Sequence, residues 1–205
     1  MRLISSSTES RVAVKHVIYF VRHGETDWNR LGKLQGQQDI PLNALGRDQA
    51  RRNGRALKEH LPSLDLPFLA SPMKRTSETM ELVRGELGLP VSDYATDERL
   101  KEIRFGKFEG FTAEQIEQQQ PEMAAKRQQD KFHFTPPDGE SYAMLMQRVR
   151  AVVEAIDSDM VIVSHGGVSR VFRGILQNLP EADIIALPTP QDQVMQFIDG
   201  RVVLL

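Results

Sequence analysis

No cysteine occurs anywhere in the 205 residues. That absence excludes disulfides, zinc ribbons, iron–sulfur ligation and thiolate nucleophiles together. Any nucleophile has to be Ser, Thr, His, Asp, Glu or Lys. Net charge is scarce too: 26 Lys and Arg against 28 Asp and Glu leave a formal −2, which excludes a chain-wide basic footprint for nucleic acid. No stretch approaches the roughly 18 consecutive apolar residues of a membrane span, and the polar start MRLISSSTESRVAV lacks the apolar core of a secretory signal. These absences predict a cytoplasmic protein with no nucleic-acid or membrane partner, residues 1–15 forming a mobile extension. Neither GxxxxGK(S/T) nor GxGxxG occurs, so P-loop and dinucleotide-binding chemistry are also removed.

What is present is an ordinary globular share of apolar residues, 40% of the chain, enough for a real core. Residues 16–21 (HVIYFV) form a short, nearly continuous apolar run and predict a strand buried on both faces. The spacing over 43–60 predicts an amphipathic helix capped by Asn43. Residues 67–71 and 91–94 read as short strands, and 73–87 as a helix stopped near Gly88 and Pro90. Residues 100–110 read as irregular. Residues 112–131 predict one or two surface helices broken at Pro121, and 141–156 a helix with Met144, Leu145, Val149, Val152 and Ile156 on one side. Residues 160–163 predict a strand and 168–176 a helix. Asp199-Gly200, between apolar runs at 193–198 and 202–205, is a hairpin signal. Strands alternating with helices imply an α/β fold with a mainly parallel sheet sandwiched by helices. The segment from about 107 to 139 reads as a small helical cap inserted into one domain, 16–205.

Two histidines occupy matching places. His23 in VRHGET and His165 in VSHGG each follow a hydrophobic strand and precede glycine. Ligands bind at the carboxyl ends of parallel strands, so the two His-Gly turns are candidates to face one ligand. Arg22 adjoins His23, and Arg75 follows the strand at 67–71. Guanidinium groups stay charged and offer paired donors to phosphate oxygens. Backbone N–H groups of the HGG turn, Gly166 included, add donors where the following helix begins. The set reads as an anion site. Two histidines with no closely spaced carboxylate do not make the usual zinc or di-metal ligand set, so neither a metal nor a cofactor is expected.

These residues resemble the histidine phosphatase superfamily, the group that contains the cofactor-dependent phosphoglycerate mutases. The likeness runs through VRHGETDWN (21–29), LQGQQDIPLNALGRDQA (34–50), SPMKRTSET (71–79), LKEIRFGKFEG (100–110), PPDGES (136–141) and VSHGG (163–167), in family order. A small departure is Phe108, where the family often carries Trp. The resemblance implies that His23 is the nucleophile that becomes phosphohistidine. It implies that Arg22, Arg75 and His165 complete the phosphate pocket, and that Glu102 is the general acid. Gly24, Thr26, Asn29, Gln35 and Gly36 match positions near the phosphate or the substrate body.

Three activities then stand open: phosphomonoester hydrolysis, a mutase-type phosphoryl transfer, and phosphate-dependent binding without catalysis. Residues 107–139 carry six acidic residues against four basic ones, a poor cradle for a bisphosphate, which favours hydrolysis of a small phosphorylated metabolite. Phe105, Phe108, Phe132, Phe134 and Tyr142 either line a partly apolar pocket or pack the cap onto the sheet. Loops at 31–38 and 132–138 are expected to set specificity. The apolar C-terminal hairpin either completes the sheet or covers a partner, a second copy of the chain being the partner considered.

Overall fold

The computed structural model describes residues 15–205; the rest of the expected extension, residues 1–14, lies outside the described residues. Ile18–Arg22 (β1) buries its first four side chains. Strand alternation sends Ile18 and Phe20 into one hydrophobic cluster, and Tyr19 and Val21 into a second on the opposite face. A strand covered on both sides has no polar face, which is why its sequence reads as an unbroken apolar run.

Phe68–Ala70 (β2), Ala95–Thr96 (β3), Met160–Ser164 (β4), Val194–Ile198 (β5) and Arg201–Leu204 (β6) complete the sheet. Its order is β3-β2-β4-β1-β5-β6. The first four are parallel, while β5 runs antiparallel to β1, and β6 to β5. The sheet is therefore mixed: a parallel block flanked by a hairpin. That hairpin turns through Asp199 and Gly200, both at positive φ (49° and 72°), as a two-residue turn of this hand requires.

Helices cover both faces. Asp27–Arg30 (α1) is a single turn. Ala44–His60 (α2) begins where the Asn43 side chain accepts from the Gly46 N–H at 2.9 Å, and Lys74–Leu87 (α3) ends on Gly88 at φ 75°. These two set Leu57, Met80 and Val83 against one face of the sheet. Ala113–Gln119 (α4) and Pro121–Gln129 (α5) lie within the segment expected as a cap, with Pro121 at the first position of α5, where its missing N–H costs nothing. Tyr142–Val153 (α6) and Gly166–Gln177 (α7) set Leu145, Val149, Val168, Val171 and Phe172 against the other face. Glu181–Ala186 (α8) adds Ile184 there. Phe172 lies between Phe20 and Phe197, ring centroids 5.3 and 5.4 Å away; truncating so buried a ring costs about 3–5 kcal/mol.

Three expectations need correction. Residues 91–94 form a turn, with the Asp93 N–H bonded to the Pro90 carbonyl at 3.3 Å. The strand comes after it, where Ala95 and Thr96 pair with Leu69 and Ala70. The helix expected over 141–156 ends at Val153, and Met144 stands 48% exposed. Leu145, Val149 and Val152 repeat at helical spacing and face the core, so Met144 falls about 100° away from that stripe. The helix expected over 168–176 starts two residues earlier, because both glycines of the HGG turn take helical conformation.

Candidate active site

Register builds the site. Parallel pairing sets Arg22 opposite Ser164, so the residues that follow, His23 and His165, emerge side by side at the carboxyl ends of the two central strands. The His23 N–H extends the ladder to the Ser164 carbonyl at 2.9 Å, and the ring centroids lie 5.2 Å apart. On the other side of β4, the Ser71 N–H continues β2 onto the Val163 carbonyl. Its hydroxyl then lies 2.8 Å from Nε2 of His165.

The His23 ring has a defined tautomer. Nδ1 lies 2.8 Å from the Gly24 carbonyl. A carbonyl only accepts, so Nδ1 carries the proton and Nε2 the lone pair. Into that lone pair Arg75 Nε donates at 3.3 Å. Burial, reinforced by the charges of Arg75 and Arg22, holds the imidazole pKa well below its ordinary value. The ring is therefore neutral at neutral pH. His165 is lowered in the same direction, by burial first and then by Arg75 and His23.

The arginines are held from behind. Arg75 is fully buried and donates through Nη1 to the Gln38 carbonyl at 2.7 Å and through Nη2 to the Gly36 carbonyl at 2.8 Å. Gly36 is left-handed (φ 52°), and a side chain there would strike the Glu109 carboxylate. Only glycine lets this loop pass close enough to serve the guanidinium. Arg22 is anchored through Nη1 to the carbonyl and hydroxyl of Thr189. Burial lowers its pKa to about 10, still fully charged at neutral pH. Glu102 lies in the irregular segment after the turn at Glu98–Leu100 and reaches α7, accepting from the Ile103 N–H at 2.9 Å and from the Gly167 N–H at 3.1 Å.

These groups wall a cleft of about 180 Å³, to which Arg22, His23, Asn29, Gln35, Gly36, Arg75, Glu102 and Gly166 all contribute. His165 is fully buried with its ring edge-on to that of His23 and does not itself line the cleft. Two further expected residues stand outside the cleft wall. The Thr26 hydroxyl caps α1 by accepting the Asn29 N–H at 3.2 Å. Gly24 donates its N–H to Thr79 and packs on the backbone of Gly46. Both hold the shape of the turn after His23. Of the five aromatics considered, Phe105 and Tyr142 reach the cleft. Phe108 is buried and stacks on Phe134, and Phe132 packs in the main core. Nothing from 132–138 lines the cleft, whereas Lys33 and Leu34 of the 31–38 loop do.

Sequence reasoning missed Ser71, Gly167, Arg170 and Thr189. Ser71 had a signal, since it is the first polar residue past a parallel strand, as His23 and His165 are. Gly167 had one in its position next to Gly166. Thr189 had none, because it meets Arg22 across 167 residues of chain.

Among the described residues, Arg22 Nε, His165 Nδ1 and Gln35 Oε1 are buried without a hydrogen-bond partner. Buried polar atoms are ordinarily satisfied. Arg22 Nε is a donor, and His165 Nδ1 is one in the tautomer that accepts the Ser71 hydroxyl hydrogen. With the Arg75 guanidinium they suit an anion placed against Nε2 of His23.

Known proteins carry the same framework. A mycobacterial glucosyl-3-phosphoglycerate phosphatase, solved with VO3, superposes with a TM-score of 0.76 at 28% identity over 92% of this chain and 97% of that one. An acid phosphatase of Mycobacterium tuberculosis is 33% identical over 193 residues, 90% of this chain and 88% of that protein. The 6-phosphofructo-2-kinase/fructose-2,6-bisphosphatase of Gallus gallus is 33% identical over 185 residues, 88% of this chain. This chain spans 37% of that curated relative's length. The profile of the histidine phosphatase superfamily (branch 1) matches residues 18–200, and the chain belongs to that superfamily.

Proposed function

We propose that this chain hydrolyses phosphomonoesters of small metabolites through a phosphohistidine on His23. The observation that carries the reading is the Nε2 lone pair, fixed by the Gly24 carbonyl on the opposite nitrogen, with the buried Arg75 guanidinium donating to it and the half-buried Arg22 nearby. Phosphoryl transfer asks for an in-line nucleophile, neutralised equatorial oxygens and a proton for the leaving oxygen.

In the first step Nε2 attacks phosphorus and the ester P–O bond breaks. Glu102, as general acid, gives a proton to the departing alkoxide. Arg22, Arg75 and His165 take the charge on the phosphoryl oxygens. In the second step the Glu102 carboxylate removes a proton from water. The water oxygen attacks phosphorus, the P–N bond breaks, and orthophosphate leaves with His23 neutral again.

Rapid-quench labelling with a ³²P-monoester tests the scheme. The expected result is a transient acid-labile phosphate on His23, absent from His23→Ala, with inorganic phosphate released at the steady-state rate. Conservation of ester phosphate would instead make the chain a phosphotransferase. Absence of both label and turnover across a panel of phosphorylated metabolites would leave it a binding protein.

A further inference from the structure

We infer that Glu109 is a positioning residue for phosphoryl transfer: its carboxylate ties the loop that orients Arg75 to the segment that carries Glu102. The inference rests on the phosphomonoesterase reading and deepens it, by naming what holds that site in register.

Arg75 meets Nε2 of His23 while its two Nη groups are held by the carbonyls of Gly36 and Gln38. Those carbonyls belong to a loop, not a strand, and Gln37 and Gln38 are exposed. The loop is fixed at both flanks. Leu34 bonds through its N–H to the Phe111 carbonyl at 2.9 Å and through its carbonyl to the Gly110 N–H at 2.8 Å. Asp39 accepts the Lys74 N–H at 2.9 Å, at the start of α3. Between these two points Glu109 supplies the side-chain acceptor.

Its Oε1 accepts the Gln37 N–H at 3.1 Å and the Phe105 N–H at 3.0 Å, and its Oε2 accepts from Nε2 of Gln38 at 2.9 Å. Two of these donors lie in the Arg75 loop. The third follows Glu102 in the chain by one short irregular stretch. Gln37 adds a second tie to that stretch, donating from its Nε2 to the Glu102 carbonyl at 3.1 Å. Among the described residues Glu109 makes no ion pair, so N–H donors meet its charge directly. Hydrogen bonds to an ionised acceptor are about twice as strong as neutral ones, and here they converge on one half-buried carboxylate.

Packing adds to the bonds. The group that excludes a side chain at Gly36 is this same carboxylate, so the loop rests on Glu109 as well as bonding to it. Glu109 is itself held, because its N–H donates to the Gly106 carbonyl at 3.0 Å. Burial lowers the Arg75 pKa, and Glu102, Asp39 and Glu109 oppose that shift. The carboxylate therefore acts on the guanidinium through both geometry and charge, as a supporting residue behind a preorganised site must.

A double-mutant cycle with Arg75 tests this. The probe is orthovanadate, a phosphate analogue whose binding is followed by ⁵¹V NMR without turnover. Glu109→Ala removes all three acceptors and leaves Leu34 and Asp39 held. Vanadate should bind about tenfold more weakly and kcat/KM for p-nitrophenyl phosphate should fall about thirtyfold, since a small misplacement can cost up to about a hundredfold. Glu109→Gln keeps Oε1, and the Gln38 amide can turn over to meet its new NH₂, so both losses should be only about threefold. In the Arg75→Lys chain the fork is already gone, and Glu109→Ala should then cost less than about threefold in either measurement.

A glutamate that merely supports the fold would cost the same in both backgrounds. Equal losses in the two backgrounds, or values for Glu109→Ala within about twofold of wild type, overturn the proposal. Should Glu109→Ala fail to fold, Glu109→Gln is run through the same cycle, and its smaller loss should vanish beside Arg75→Lys. Absence of wild-type turnover with the vanadate coupling intact would sink the hydrolase reading and leave the role of Glu109 standing. Turnover with additive losses would do the reverse.

Discussion

The two ends of the candidate catalytic cleft are held by different means. At the phosphate end, His23 and His165 stand one residue past paired strands, and the ladder itself sets their spacing. Arg75 is tied to two backbone carbonyls and has no exposure. At the outer end, Lys33, Leu34 and Phe105 come from loops, Tyr142 from the start of α6 and Arg170 from the second turn of α7, all outside the strands of the sheet. Phosphoryl transfer tolerates displacements of only a fraction of an ångström, so its groups sit where backbone pairing fixes them. Recognition of the alcohol can change without disturbing that frame, because it is carried on the segments that tolerate variation best.

The largest expected effect tests whether the phosphate end also supplies the proton. Glu102→Gln keeps a carbonyl oxygen for the Gly167 N–H and gives up only the second acceptor, the one that serves the Ile103 N–H. It removes the acid. Steady-state turnover of an alkyl phosphate should fall about a thousandfold, within the range of general acid–base catalysis. The phosphorylation step with p-nitrophenyl phosphate, whose leaving group departs without a proton, should fall far less in burst kinetics. Equal losses on both esters would assign Glu102 to architecture alone.

Next in size is Arg75→Lys. One ammonium cannot serve the Gln38 carbonyl, the Gly36 carbonyl and Nε2 of His23 together in the fork geometry of a guanidinium. The expected loss in kcat/KM is about a hundredfold or more, the value of a preorganised oxyanion donor. Arg170→Lys, at the outer end, should cost much less. Comparable losses at the two positions would erase the contrast between the ends.

Acid sensitivity should also belong to the phosphate end. Both histidines have folded pKa values below the ordinary imidazole value of about 6.5. Below that pH the unfolded chain binds more protons than the folded one, so stability is lost as pH falls from about 6.5 down through the folded pKa values. Each unit of depression contributes about 1.4 kcal/mol. The acid limb of kcat/KM due to His23 should lie below 6.5 for the same reason, dropping about tenfold per unit beneath the folded value. Thermal melts and initial rates from pH 4.5 to 8 check both. A rate that already halves near 6.5 would mean that His23 is solvated.

How much of this was legible follows the same division. The run HVIYFV read as a strand because burial on both faces leaves no polar position, and the His-Gly pairs read as one site because parallel strands bring their ends together. The frame of the phosphate end was therefore visible in local patterns. Thr26 looked like a ligand contact because its neighbours were, but its hydroxyl is used up in capping α1, a fact that depends on one turn of backbone. Phe108 and Phe132 looked as eligible for the cleft as Phe105; which side a loop aromatic faces is decided by packing, not by spacing. Thr189 and Arg170 enter through tertiary approach alone.

The smallest effect sharpens the outer end. Phe105 is half-buried, with its ring against the main core and its N–H bonded to the Glu109 carboxylate at 3.0 Å, and it forms part of the cleft wall. Phe105→Leu keeps an apolar side chain and the backbone bond while removing the flat surface. It touches none of the groups that carry charge in the transition state. Such a change removes binding shared by ground and transition states, so KM should rise about threefold with kcat nearly constant. The shift should be larger for bulky alcohols than for short ones, read from KM across a series of alkyl phosphates of increasing length. A fall in kcat that matches the fall in kcat/KM would place Phe105 with His23 and Arg75, and the division between a ladder-fixed phosphate end and an adaptable outer end would not survive it.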